Sequence, residues 1–314
     1  MKRIWKIGFV LMASASSLAS CQNLPSTSEE KTIKIGYLPI THAAPLYYAH
    51  AHPEELDDNE HVELVRFGSW IDLMDALNTG RIDGASVLIE LAMKAHEKGI
   101  DLKAVALGHK DGNAVVVGDD IQKTEDLVGK TVAIPHTLSS HNILLDDMLQ
   151  ASNLAYEAVN VVELPPPEMP SALSEGRISG YIVAEPFGAL GVHLNAGHVL
   201  YQSEELWPDS LCCALVLRQD FLETYPELAQ KFITNYAKGG LALEEHSHYD
   251  VHMDYLNIDE DVLELSLEWI SYDDLMIEEQ DYELLRRRML ELGLSEDPPA
   301  YEDFIDTSYL EGRN

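Results

Sequence analysis

Apolar and polar positions along the chain follow two periods, one typical of buried strands and one typical of amphipathic helices. Short apolar runs indicate strands, and longer stretches with apolar residues three or four apart indicate helices. The predicted elements of the first third are strand 33–38, helix 45–56, strand 62–67, helix 71–79 and strand 82–88. This alternation predicts a parallel sheet covered by helices on both faces.

The same unit occurs again 96 residues further along the chain. Residues 76–87 are A-L-N-T-G-R-I-D-G-A-S-V and residues 172–183 are A-L-S-E-G-R-I-S-G-Y-I-V, identical at seven of twelve positions. Gly80 and Gly176 hold the same place in the repeat, where each is expected to end a helix in the left-handed conformation. The second copy is predicted as strand 131–134, helix 139–152, strand 159–164, helix 168–175 and strand 178–184.

The pattern changes in the last third of the chain. Its predicted elements are strand 212–218 and helices 221–244, 259–270 and 278–292. Because this tail has too little strand for a third sheet, we expect it to pack on the first lobe. The chain would then cross between lobes twice, near 115–118 and 213–217, which makes a hinge.

These elements predict the fold class. It is α/β, with two lobes, two parallel-rich sheets flanked by helices, and a double hinge between the lobes. Lobe 1 would comprise residues 31–114 plus 214–314, and lobe 2 residues 115–213.

The first residues have the order of an export signal. Three positive charges precede an apolar run that ends in Leu-Ala-Ser-Cys at 18–21, which resembles the lipobox of bacterial lipoproteins. The run is shorter than the ~20 apolar residues that a membrane-spanning helix needs. We predict a signal peptide at 1–20, a lipid on Cys21 and a tether at 21–32, with the protein held on the extracytoplasmic face of the cell membrane.

Charge and cysteine content narrow the function classes. The formal net charge of −33 repels nucleic acid and anionic lipid surfaces, so neither is an expected partner. Beyond Cys21 the only cysteines are Cys212 and Cys213. Neighbours on a strand point to opposite faces, so a bond between these two would be strained and no disulfide framework is implied. We expect a monomer.

Ligand sites of parallel sheets lie at the carboxyl ends of the strands, where loops lead into helices. The first such loop of each copy is small and polar, and both should face a cleft between the lobes. Free backbone N–H groups and hydroxyls at a helix start favour an anion or a carbonyl-type oxygen. The candidates from these loops are Thr41, His42, Ser139, Ser140 and His141. Helix capping by the two serines is an equally good interpretation.

Three further candidates follow from the same placement. Trp70 ends the second strand of lobe 1, where its ring walls a ligand or packs between lobes. Glu185 follows a strand and precedes a helix, so it contacts ligand, caps the helix or pairs across the cleft. Asn113 lies just before the first crossing and offers both a donor and an acceptor.

Several short motifs, in order along nearly all of the chain after the tether, carry a family resemblance. They are I-G-Y-L-P-I-T-H-A-A-P-L at 35–46, G-S-W at 68–70, D-G-A at 83–85, S-H-N at 140–142, P-P-P-E-M at 165–169 and A-E-P-F at 184–187. Together they are similar to the solute-binding components of nitrate, sulfonate, taurine and bicarbonate type ABC importers. The resemblance implies a type II periplasmic-binding fold that closes on a small molecule and delivers it to the permease subunits of the importer.

The resemblance also assigns residues. In the nitrate and bicarbonate branch, the positions that match Trp70, Asn113 and His141 line the pocket. Where nitrate binders supply a lysine, the nearest residue here is Cys213. An anion would lose its cationic partner there, which argues against nitrate. The predicted ligand is a small solute, namely an oxyanion, a sulfonate or a small heterocycle.

Two other function classes remain open. The fold also resembles that of thiamine-pyrimidine synthases, but no nucleotide loop, nucleophile elbow or zinc-protease helix is present, so we predict no catalytic residue, no cofactor and no enzyme activity. A zinc-type metal-binding protein of the same fold is the second alternative.

The histidines offer two places for such a metal. His248 and His252 are spaced for one helical face, with His246 and Asp250 nearby, but a solvated connector explains them equally well. In the cleft, a soft cation would instead gather His42, His136, His141, Cys213 and Glu185.

Overall fold

The computed structural model describes residues 30–245 and 249–310. The predicted signal peptide, Cys21, most of the tether, His246 and His248 lie outside the described residues. The strands are β1 Lys31–Tyr37, β2 Glu60–Arg66, β3 Gly84–Leu88, β4 Leu102–Leu107, β5 Lys110–Asp111, β6 Asn113–Val117, β7 Thr131–Ile134, β8 Asn160–Glu163, β9 Gly180–Ala184, β10 His198–Gln202, β11 Cys213–Arg218 and β12 Ile270–Ser271.

Helices cover these strands. They are α1 Ala44–Ala51, α2 Trp70–Asn78, α3 Ile89–Glu97, α4 Ser140–Ala151, α5 Met169–Ser174, α6 Phe187–His193, α7 Ser203–Leu206, α8 Gln219–Thr224, α9 Pro226–Glu245, α10 Tyr249–Leu256, α11 Glu260–Leu267, α12 Glu279–Glu291 and α13 Tyr301–Phe304. Within the described ranges, no helix is both long and apolar enough to span a membrane.

Two five-stranded sheets share one topology. The first has the order β2-β1-β3-β11-β4, and the second, taken from its opposite edge, has the order β8-β7-β9-β6-β10. In each sheet three strands run parallel, and the other two pairings are antiparallel. The predicted α/β fold with two helix-flanked sheets is confirmed, and both sheets are mixed.

The repeat ends its helices as expected. Gly80 and Gly176 both have φ of +69°. Beside them, Arg81 N–H donates to Ala76 O and Arg177 N–H donates to Ala172 O, each over 2.9 Å. These bonds satisfy carbonyls that a helix end leaves free, so the equivalent glycines turn the chain into β3 and β9 in the same way.

The chain passes between the sheets at 108–112 and at 203–212. The predicted crossings at 115–118 and 213–217 are wrong by a few residues, because Val115 pairs with Ile182 inside the second sheet and Cys213 pairs with Leu88 inside the first. The second sheet begins with Asn113, before the predicted lobe boundary.

Other differences have local causes. The predicted helix 45–56 ends at Ala51, because Pro53 cannot continue it. Strands β4, β6 and β10 were not predicted from the sequence. Strand β6 lies inside the second sheet, and all five of its residues are buried.

The two units contact each other at several points. The N–H and the hydroxyl of Thr41 both donate to the carbonyl oxygen of Glu185, each over 3.0 Å. Arg288 of α12 forms partly buried ion pairs with Asp146 and Asp147 of α4. Helix α11 packs against α6. The loops at the carboxyl ends of the strands therefore meet where the two units face each other.

Candidate functional site

Two histidines and two cysteines converge where the chain crosses between the sheets. They are His42, His109, Cys212 and Cys213. One ligand atom from each lies within 4.8 Å of the others, and all four side chains are buried. We call this group the His/Cys cluster.

Chain turns at strand ends place the four residues. His42 lies in the turn Thr41–Ala43 between β1 and α1, and His109 follows β4. Cys213 begins β11, and Cys212 directly precedes it. The carbonyl of Cys213 accepts a bond of 2.8 Å from Gly108 N–H, which holds the two crossings side by side.

Backbone carbonyls fix the tautomers of both imidazoles. His42 Nε2 is 2.8 Å from Gly112 O, and His109 Nδ1 is 2.8 Å from Asp111 O. Because a carbonyl oxygen only accepts, each of these nitrogens carries the hydrogen. The lone pairs of His42 Nδ1 and His109 Nε2 therefore face the cluster, an arrangement typical of metal-ligating histidines.

The cysteine sulfurs complete the group. Cys212 Sγ lies 3.7 Å from His42 Nδ1 and 3.9 Å from Cys213 Sγ. The expectation that the two side chains point to opposite faces is wrong, because Cys212 lies outside the regular alternation of β11. Cys213 N–H also points to His109 Nε2, over 3.4 Å.

Burial and neighbours set the charges. Burial, together with a smaller effect of His109, lowers the pKa of His42 to about 4, so the ring is neutral at pH 7. Burial opposes ionisation of Cys212, but the Cys213 thiol, His141 and the two imidazoles outweigh it and lower its pKa. Burial and the neighbouring Cys212 sulfur raise the pKa of Cys213. Of the two cysteines, Cys212 is therefore the one that ionises more readily.

A second layer of polar groups adjoins the cluster. Both ring nitrogens of His141 are buried and find no hydrogen-bond partner among the described residues, and the buried carboxyl of Glu90 lies near the hydroxyl of Ser140. Burial raises the pKa of Glu90 well above its usual value, and the Cys212 sulfur adds to the rise. Burial lowers the pKa of His141. Buried polar groups nearly always have hydrogen-bond partners in folded proteins, so these atoms indicate a site that binds a ligand.

Some predicted residues serve structural roles at the same edge. Ser139 Oγ accepts from Asn142 N–H over 3.3 Å and caps α4, which is the capping alternative. Glu185 Oε2 accepts from Ala189 N–H over 3.0 Å within α6, while Oε1 lacks a partner in the described part of the chain. Burial raises the pKa of Glu185 to about 8. Asn113 contacts the cluster, with Oδ1 3.8 Å from Cys212 Sγ.

Trp70 and His136 lie in a different place. Both line a cavity of ≈ 200 Å³ together with Pro135 and Pro165, and no member of the His/Cys cluster lines it. His136 Nδ1 accepts from Leu138 N–H over 2.9 Å. Of the predicted soft-cation set, only His42 and Cys213 therefore belong to the cluster, His141 adjoins it and His136 does not join it.

Sequence reasoning missed Glu90, His109 and Cys212. Glu90 and His109 each lie two residues after the carboxyl end of a strand. The rule applied to the other loops would therefore have included both. His252, of the C-terminal histidine group, is buried and lies 3.4 Å from Tyr272 OH.

Comparison with known proteins places the chain. Residues 26–250 match the NMT1-like family. The chain belongs to the NMT1-like family. The predicted resemblance to solute-binding components of ABC importers is confirmed.

Three relatives show which proteins this NMT1-like chain is similar to. A ligand-binding component of an ABC-type import system from Staphylococcus aureus, solved with zinc bound, is 40% identical, with a TM-score of 0.86 over 91% of this chain and 99% of that one. The taurine-binding periplasmic protein of Escherichia coli is 30% identical over 54% of each chain. The nitrate import ATP-binding protein NrtC of Synechocystis sp. is 26% identical over 73% of this chain. The match covers 37% of the length of that relative.

Proposed function

We propose that this NMT1-like protein is the extracytoplasmic substrate-binding component of an ABC importer and that its substrate is a soft divalent metal ion of the zinc type. The single observation that carries the proposal is the His/Cys cluster, with four ligand atoms within 4.8 Å of one another.

The chemistry of the donors supports this substrate class. Imidazole nitrogen and thiolate sulfur are the ligands that zinc prefers, and two of each make a common tetrahedral set. Calcium and magnesium prefer oxygen ligands, so the cluster selects against them. The carbonyl partners of His42 and His109 supply the outer hydrogen bonds that orient metal ligands.

The surroundings argue against an anion. After burial, the neighbours that shift the pKa values of His141, Cys212 and Cys213 are other imidazoles, the other thiol and Glu90. Within the described ranges, neither a lysine nor an arginine is among these neighbours. A buried nitrate or sulfonate would need a cationic partner there. The zinc in the Staphylococcus aureus relative, at 40% identity, supports the same choice.

The remaining parts of the proposal concern capture and location. One lobe is built on each sheet, with boundaries shifted by one or two residues from the predicted 31–114 plus 214–314 and 115–213, and the lobes close around the ion at the crossings. The closed form would be recognised by the permease. The protein makes and breaks no substrate bond, acts as a monomer and is held at the membrane by a lipid on Cys21.

Equilibrium dialysis against zinc, followed by elemental analysis, tests the substrate class. We expect stoichiometric zinc on the reduced full chain and none on the Cys212→Ser/Cys213→Ser double variant. A His136→Ala variant is the matched control, since this histidine lies outside the cluster, and it should bind as the unchanged chain does. If the chain takes up no zinc while taurine or nitrate raises its melting temperature, the proposed substrate class is wrong.

A further inference from the structure

The two cysteines of the cluster are neighbours in sequence and yet face the same space. Their sulfurs are 3.9 Å apart, and both side chains are nearly fully buried. A disulfide bond needs about 2.05 Å between sulfurs, so a rotation of the two side chains and their shared peptide would bring them together. The two thiols are therefore close enough to form a disulfide after a small local rearrangement.

Such a bond would be strained. Adjacent Cα atoms lie about 3.8 Å apart across a trans peptide, whereas disulfides usually join Cα atoms roughly 4.4–6.8 Å apart. Strained disulfides have higher reduction potentials than structural ones and are the labile, regulatory kind. A bond between Cys212 and Cys213 would therefore be reversible.

The backbone around the pair ties this chemistry to the hinge. The peptide shared by the two cysteines contains the carbonyl of Cys212, which accepts from Ile89 N–H over 2.8 Å, and the N–H of Cys213, which points to His109 Nε2 over 3.4 Å. Both contacts depend on the orientation of the peptide that a disulfide would have to rotate. Closing the ring between the sulfurs would thus disturb the contact between the second crossing, helix α3 and the first crossing.

We propose that Cys212 and Cys213 form a reversible vicinal disulfide that switches ion capture off, an inference whose consequence for capture rests on the metal-binding function proposed above. Thiolates bind zinc, and a disulfide retains neither thiolate charge. Oxidation removes two of the four donors of the cluster and leaves His42 and His109 alone.

The oxidant is a disulfide, either a small molecule or an oxidised thiol oxidoreductase, of the kind present outside the cytoplasm. One cysteine sulfur attacks it, forming a mixed disulfide and releasing one thiol. The second cysteine sulfur then attacks the mixed disulfide and releases the other thiol. Two S–H bonds are lost, one S–S bond forms, and the two protons and two electrons leave on the reduced oxidant.

Access controls the reaction. Both sulfurs are buried where the two sheet units meet, so attack requires the units to separate. A bound ion would hold both sulfurs and keep the units together. The ion-free protein is therefore the form that oxidises.

Peptide mapping tests the bond directly. Trypsin cleaves after Arg177 and Arg218, which leaves both cysteines in one peptide without Cys21. After treatment of the reduced, metal-free full chain with oxidised glutathione, we expect this peptide to lose two hydrogens and to resist alkylation. Zinc added before the oxidant should prevent the change. The variants Cys212→Ser and Cys213→Ser should each carry a glutathione adduct instead.

Zinc uptake tests the switch. The oxidised chain should bind zinc at least about 100-fold more weakly, and a phosphine reductant should restore binding. Two free thiols or two glutathione adducts on the mapped peptide would overturn the proposal, and so would unchanged zinc affinity of the oxidised chain. If the reduced chain binds no zinc at all, the proposed function fails, while the peptide mass still decides whether the disulfide forms.

Discussion

The imidazole ring of His42 lies over that of His109, with ring centroids 3.4 Å apart and 32° between the planes. Two positive rings would repel strongly at this distance, and His109 indeed contributes to the low pKa of His42, after burial. Each ring donates to a backbone carbonyl on its outer side. The stack therefore leaves Nδ1 of His42 and Nε2 of His109 facing the cluster.

Removing either ring should weaken zinc binding. We expect His42→Ala and His109→Ala each to lower the affinity by about 100-fold or more, since each removes a ligand and its oriented partner. A competition titration with a zinc-binding dye measures the loss. His136→Ala should leave the affinity unchanged, and equal losses in all three variants would contradict the assignment.

His141 should couple binding to closure. It is buried in the first turn of α4, after strand β7 of the second sheet, whereas His42 follows strand β1 of the first sheet. We expect zinc to reduce the radius of gyration of the unchanged chain in small-angle X-ray scattering. His141→Ala should bind zinc with a smaller reduction, because the second unit loses its contact with the ion. A full contraction in this variant would show that His141 has no such role, and His136→Ala again serves as the control.

Glu185 should make stability depend on pH. Burial raises its pKa in the folded protein to about 8, above the usual value of 4.5. Below the unfolded pKa both states hold the proton, and this contribution to stability is fully present. As the pH rises toward 8, only the unfolded chain releases the proton, so the free energy of unfolding falls by up to about 1.4 kcal/mol per pH unit.

Urea unfolding between pH ~5 and ~8 checks this sign. Glu185→Gln should gain stability relative to the unchanged chain as the pH rises across that window. The exposed Glu168→Gln variant should keep a constant difference. A stability difference for Glu185→Gln that is flat in pH would mean that this carboxyl ionises normally.

Arg288 should slow release of the ion. Its Nη2 lies 3.3 Å from Asp146 Oδ2 and also contacts Asp147, which joins the C-terminal tail to α4. Arg288→Ala should cost the closed form about 1 kcal/mol, a factor of about five in zinc dissociation by stopped flow. The neighbouring exposed Arg287→Ala is the matched control. An equally large effect of Arg287→Ala would contradict a specific role of the Arg288 ion pairs.

Much of the fold was predictable because its signals are local. The G-R-I-x-G segments predicted the glycine turns before β3 and β9, since only the adjacent helix and strand determine them. Strands β4, β6 and β10 carried weaker signals, because their antiparallel partners come from distant parts of the chain. The crossings were misplaced for the same reason.

The site was predictable only in outline. The rule of strand carboxyl ends placed His42 and His141 near the crossings, but it missed His109 because β4 was not predicted. The meeting of Cys212 and Cys213 depends on a backbone turn just before β11, and no period of the sequence encodes that turn. The composition of the His/Cys cluster therefore follows only from the folded structure.

Strand β11 sits between β3 and β4, although it comes more than a hundred residues later in the chain than either. Until Arg218 has left the ribosome, β3 and β4 have no shared partner and each keeps an open edge. Open edges invite pairing with other chains. The protein that is still being synthesised is accordingly the form most in need of a chaperone, and a fragment that stops after the second copy of the repeat would stay in that condition.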